Sequence, residues 1–382
     1  MRPHRLIFPL HRLGTGLALG LALLATGCSS SPDKPKPAEL APNVALMGVR
    51  QAWTARLPGA VSFPLEVGVQ GTQVVLADKD GALVALDAAS GRPLWQASVD
   101  ESLAAGVGGD GDVTAVVTRA NQVVALEGGK PLWRQKLGAQ SYTAPLVAGG
   151  RVFVLGADRS VTAFDGRSGR KLWTQQRAGE ALVLRQAGVL LAVGDTLVAG
   201  LSGRLFGLNP DNGSVRWEAP LASPRGTNDV ERLVDLVGRV SRQGQVVCAR
   251  AYQAAVGCVD TARGAVLWSK PAQGAEGVHG DDRLLFGTEL DGKLVAWRRA
   301  DGERAWVTEQ LRFRGLTAPL ALGRSVVVGD SAGLVHLLSR EDGSPLNRLT
   351  TDGSGIAAAP VVAGDTLVVV TRAGGVFGFR PE

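Results

Sequence analysis

Histidine and cysteine carry much of the nucleophilic, acid–base and metal chemistry of proteins. This 382-residue chain has four of the first and three of the second. His4, His11, His279 and His336 form no cluster and none lies in a catalytic motif, so neither a His-rich metal site nor a Ser-His-Asp triad can be assembled. His336 sits within Leu334-Val335-His336-Leu337, the setting of a structural strand residue. Gly-rich stretches such as Gly106-Val107-Gly108-Gly109 lack the helix and lysine of a phosphate loop and read as turns. Cys248 and Cys258 are ten apart and flank a predicted hairpin at Tyr252-Gln253-Ala254. Pairing about Gln253 would set them opposite each other; a disulfide and two buried free thiols both fit. No catalytic residue, metal ligand or cofactor site is therefore assigned.

Cys28 has a different context. Arg2, His4, Arg5, His11 and Arg12 precede an apolar run, Leu13 to Ala25, too short for a comfortable membrane span. The run ends in Leu24-Ala25-Thr26-Gly27-Cys28, which resembles a bacterial lipobox, with Ala25 where Leu is usual. The resemblance implies cleavage after residue 27 and lipidation of Cys28. Ser29, in place of the Asp that retains lipoproteins in the inner membrane, implies the outer membrane, facing the periplasm. Ser29 to Pro42 holds four prolines and few bulky apolar groups, so residues 28–42 are expected to be a flexible tether. The 41 basic residues exceed the 35 acidic ones, but Arg2, Arg5 and Arg12 leave with the leader. The near-balance that remains gives no electrostatic footprint for nucleic acid.

The rest of the chain repeats one unit. Asp87, Gly91 and Trp95 are spaced by four; so are Asp165, Gly169, Trp173; Asn209, Gly213, Trp217; and Asp260, Gly264, Trp268. Arg298, Gly302, Trp306 keep the frame without the acid, and Ser339, Gly343, Asn347 keep only the glycine. Glu127, Gly129, Trp133 carry a turn two residues shorter, and Trp53 stands alone. The acid closes a turn by accepting from a nearby backbone N–H, and the glycine supplies positive φ. Apolar runs such as Leu83–Leu86 precede each turn, and Ala-Pro-Leu or Ala-Pro-Val units at Pro145, Pro319 and Pro360 mark first strands. Most Trp-to-Trp steps match the length of a four-stranded blade. After Pro360 the chain ends before an outer strand can form, and the segment around Gln51 to Leu57 can supply it. The expectation is an all-β, eight-bladed propeller of four-stranded antiparallel blades over residues 43–382, closed by pairing its first strand with the last blade.

The A-x-D-x-x-x-G-x-x-x-W pattern, clearest at Ala85 to Trp95 and Ala163 to Trp173, resembles the quinoprotein dehydrogenase repeat family. One branch comprises enzymes that hold pyrroloquinoline quinone and calcium over the channel. Another is the BamB family, lipoprotein subunits of the machinery that assembles outer-membrane β-barrels. Lipobox, tether, eight repeats and ring closure resemble the second. An insertion between Trp217 and Trp268 contains Glu231, Arg232, Leu233 and Asp235, similar in kind to a BamB loop, although Val237 replaces its last acid. Leu182-Val183-Leu184-Arg185 resembles another BamB segment. The resemblance implies that Leu182, Leu184, Arg185, Glu231, Arg232 and Asp235 dock on BamA, without chemistry or cofactor. By pattern alone, Leu182 and Leu184 alternate like the core face of a strand. The remaining readings are a quinone-dependent periplasmic dehydrogenase and a scaffold for another envelope partner. Contact with unfolded barrel substrates is left open.

Overall fold

The computed structural model describes residues 35–179 and 182–382. The leader, Cys28 and the start of the tether lie outside them. The chain divides into two units, Met1–Lys36 and Pro37–Glu382, and every strand among the described residues belongs to the second.

Eight four-stranded antiparallel sheets follow one another along the chain. Blade 1 contains Gly68–Gln70, Gln73–Ala77, Ala82–Asp87 and Pro93–Ser98. Blades 2 to 7 repeat that order, beginning at Gly108, Leu146, Leu190, Leu236, Val278 and Leu320. Blade 8 takes Val361–Ala363, Thr366–Val370 and Gly375–Pro381, and Val49–Arg56 completes it by pairing antiparallel with the last of these. The ring thus closes as the sequence requires, and the two chain ends hold each other.

Each blade is covered on both faces by its neighbours, so its middle strands are mostly apolar and buried. Leu83, Val84, Ala85 and Leu86 are all buried, whereas the outer strand Pro93–Ser98 is largely exposed.

The repeat motif has a physical reading. Ala85 pairs with Trp95, and the register then slips so that Leu94 bulges out. Small residues face the Trp in other blades too: Ala125, Ala163, Gly207, Cys258, Ala296 and Gly378. The small residue makes room for the ring, and the bulge aims it at the next blade. There the ring lies against the turn glycine: a Cβ on Gly91 would stand 2.5 Å from the Trp53 ring, and one on Gly169 2.5 Å from Trp133. Both glycines have φ of 71°, so two independent constraints demand them. Indole N–H groups then donate to carbonyls of the same neighbouring turns, Trp53 to Ala88 at 2.8 Å and Trp133 to Gly166 at 2.8 Å.

Asn347 marks the junction where this lock has no turn to grip, because blade 8 is built from two chain ends. Large Leu337 faces Asn347. The Asn347 amide donates to the Met47 carbonyl at 2.6 Å and its oxygen accepts from Asn43 at 2.9 Å. The tether expected to run to Pro42 is therefore fastened earlier. Ala38 N–H donates to Arg312 O, its carbonyl accepts from Arg314, and Leu40 packs on the blade 6–7 core.

Cys248 pairs directly with Cys258 across blade 5, both fully buried, and their sulfurs are bonded, with Cα atoms 3.9 Å apart. The turn between them centres on Gln253, whose φ is 49°.

Candidate docking surface

The segment from Leu182 to Val189 joins blade 3 to blade 4 and forms no strand. Its two leucines therefore do not belong to the core, against the pattern-only reading. Leu182 is 39% exposed, Leu184 is half-buried and Arg185 is exposed. An irregular connection can show i, i+2 apolar spacing without a sheet to bury it.

The second segment, in the enlarged blade 4–5 connection, is tied to the first. Asp235 Oδ2 accepts from the Leu184 N–H at 3.0 Å, and the Asp235 carbonyl accepts from Tyr252 N–H at 3.0 Å. Gly238 N–H donates to Ala187 O at 2.9 Å, and Gln186 Nε2 to Ala275 O at 2.7 Å. The blade 3–4 connection is thus bonded to segments on either side of blade 5, and together they form one surface. Asp235, expected to pair with a charge or backbone group of the partner, has one carboxylate oxygen engaged inside the protein by the Leu184 N–H.

Glu231 likewise works locally. Its N–H donates to Asn228 Oδ1 at 2.9 Å, and its Oε2 accepts from the Thr227 N–H at 2.9 Å. This reciprocal pattern resembles a capping box and holds the Glu231 carboxyl below its usual range, chiefly through the Thr227 amide. The turn it closes carries Val230, 70% exposed. Arg232 N–H donates to Asn228 O at 3.2 Å in the same turn. Val237, where an acid was expected by family pattern, is 1% exposed in the first strand of blade 5.

Arg185 places its guanidinium 5.8 Å from the Tyr142 ring centre. That contact steadies the long side chain while leaving its charge at the surface. Beneath Leu182, buried Arg159 donates to the Leu182 carbonyl at 3.2 Å and to Ser202 Oγ at 2.7 Å. The sequence reading missed Tyr142, Gln186 and Arg159, whose roles depend on contacts between blades. The surface offers exposed Leu182 and Val230, half-buried Leu184, the Arg185 cation and ordered backbone, which suits a protein partner.

The two described histidines, His279 and His336, are structural. His279 Nδ1 accepts from the Ala321 N–H at 3.0 Å, and its pKa is lowered to about 3 by burial, then by Arg239 and Arg299. His336 meets buried Asp330 at 3.0 Å, and Arg314 joins the same carboxylate at 2.7 Å. Among the described residues no three His, Cys, Asp or Glu are grouped to hold a metal.

Together these features define a closed propeller of the quinoprotein-repeat type with a candidate docking surface. A family model described as "Outer membrane protein assembly factor BamB" matches residues 79–308. The protein of that name from Burkholderia pseudomallei is 37% identical over 378 residues, 98% of this chain and 99% of its own. The chain belongs to the BamB family of outer membrane protein assembly factors, and so to a family of assembly factors rather than of enzymes. The crystal structure of BamB from Moraxella catarrhalis shares the fold, with a TM-score of 0.80 and 23% identity over 87% of this chain and 99% of that one. A quinohemoprotein alcohol dehydrogenase from Pseudomonas putida has the same fold at a TM-score of 0.69 and 14% identity, covering 89% of this chain and 77% of that one.

Proposed function

We propose that this chain is a non-enzymatic scaffold lipoprotein of the outer-membrane β-barrel assembly complex, anchored through Cys28 on the periplasmic face. It binds the periplasmic region of BamA through Leu182, Leu184 and Arg185, with the 227–235 loop beside them. The observation that carries this reading is the bond from the Leu184 N–H to Asp235 Oδ2, which joins both segments into one surface while Leu182 and Arg185 stay exposed. The leucines supply apolar contact at the centre, and Arg185 takes a carboxylate or carbonyl of the partner. Membership in an assembly-factor family supports the same assignment.

The test is capture of the BamA periplasmic region by the detergent-solubilised chain. A Leu182→Ser, Arg185→Glu double variant is expected to lose at least about 2 kcal/mol, or roughly thirtyfold in affinity, with an unchanged melting temperature. Capture equal to wild type would reject the surface.

A further inference from the structure

Blade 5 carries a charge where its surroundings are apolar. Arg250 lies in Val246–Ala251, the second strand of that blade, and is fully buried. Its ladder partners on the two sides, Val237 and Val256, are both apolar. The guanidinium lies 5.8 Å from the Trp297 ring centre, and its Nη1 donates to Glu289 Oε1 at 3.1 Å. Two glycines clear the space for it: a Cβ at Gly274 would collide with Nη1, and one at Gly287 with Nη2.

Stability alone is a poor reason for this pair. Desolvation offsets much of the attraction in a buried ion pair, and apolar residues of the same volume often stabilise as well. Arg250 Nε and Nη2 meet no acceptor among the described residues. What the pair does hold is backbone. Glu289 Oε2 accepts from the Gln273 N–H, and the Leu290 N–H donates to Gln273 O at 3.1 Å. Gly274, against the guanidinium, accepts at its carbonyl from the Gln253 N–H at 2.9 Å. The next carbonyl, of Ala275, accepts from Gln186 Nε2 at 2.7 Å, one residue beyond Arg185. On the other side Tyr252, two residues after Arg250, donates its N–H to the carbonyl of Asp235, whose carboxylate holds Leu184. Both ties of the Leu182–Val189 connection therefore run to backbone that adjoins Arg250.

We propose that Arg250, paired with Glu289, is a positioning residue for partner docking. It fixes the seat of the 272–277 connection and, through Gln186, the presentation of Leu184 and Arg185. A guanidinium suits this role because its donors form one rigid planar fork, whereas those of a lysine rotate. Apolar side chains could fill the same space, but they would not fix Gln273 through Glu289. The inference rests on the docking reading and adds a control that lies beneath the surface and touches no partner atom.

The test compares affinity for the BamA periplasmic region, melting temperature and amide exchange in the detergent-solubilised full chain. An Arg250→Met, Glu289→Gln double variant removes both charges together. Its melting temperature should stay near that of wild type, while the Gln253 N–H exchanges faster and affinity falls at least about tenfold. Gly274→Ala keeps both charges but pushes the connection off the guanidinium. It should weaken docking in the same way, and it decides the matter if the double variant does not fold. The effect must also pass through Gln186. Gln186→Ala should therefore weaken docking on its own and cost little more when combined with either change. Full affinity in the altered chains, unchanged exchange at Gln253, or losses at Gln186 and Arg250 that simply add would each overturn the proposal. Capture equal to wild type by the Leu182→Ser, Arg185→Glu variant rejects the docking surface instead, so the two readings fail separately.

Discussion

Replacing Asp235 by Ala removes the bond that holds the 182–187 connection against the 227–235 loop. The Leu184 N–H then loses a charged acceptor at 3.0 Å. Hydrogen bonds to charged groups contribute about 1.5–3 kcal/mol net. If docking needs both segments in place, that cost passes to the affinity, a loss of about 10- to 150-fold. Global stability should barely change, because Leu182–Val189 forms no strand. Asp235→Asn keeps an acceptor oxygen and should recover most of the binding. Interferometry against the BamA periplasmic region gives the affinities, and amide hydrogen exchange reports the Leu184 N–H. Faster exchange at Leu184 with unchanged affinity would refute the idea that order in this connection controls docking. Unchanged exchange would refute the bond itself.

Gly169→Ala forces a Cβ to 2.5 Å from the Trp133 ring at a φ of 71°. Urea unfolding should show a loss of about 2–4 kcal/mol from overpacking and backbone strain together. Burial alone would raise the Asp330 pKa, but hydrogen bonds from His336, the Leu334 amide and Arg314 hold it down to about 2. A carboxyl depressed in the folded state stabilises above its unfolded pKa, so this contribution is lost as pH falls from about 4 to about 2. Asp330→Asn should flatten the acid limb of a stability–pH curve in that window. Cys248 and Cys258 should give no free thiol on denaturation without reductant, and reduction should cost about 2–3 kcal/mol for so short a loop. Full thiol labelling of both in the unreduced chain would contradict the bond.

The fold was legible because each repeat is a physical unit within a short stretch of chain. Ala85, Gly91 and Trp95 are a space, a turn and a ring that needs both. The failure of the pattern at Asn347 is equally physical, since it falls where the chain ends meet. What pattern missed depends on contacts across the ring. Leu182 and Leu184 have strand spacing but no strand to pair with. The acids at 231 and 235 looked available to a partner, yet local and inter-loop hydrogen bonds engage both. Proline content suggested slack up to Pro42, but Arg312 and Arg314, far along the chain, fasten the backbone at Ala38.

The most direct measurement is a hydrogen-exchange footprint of the full-length chain with and without the BamA periplasmic region. Slower exchange confined to residues 182–187 and 227–237 is the predicted result. Protection elsewhere on the ring, with those two segments unaffected, would contradict the assigned surface.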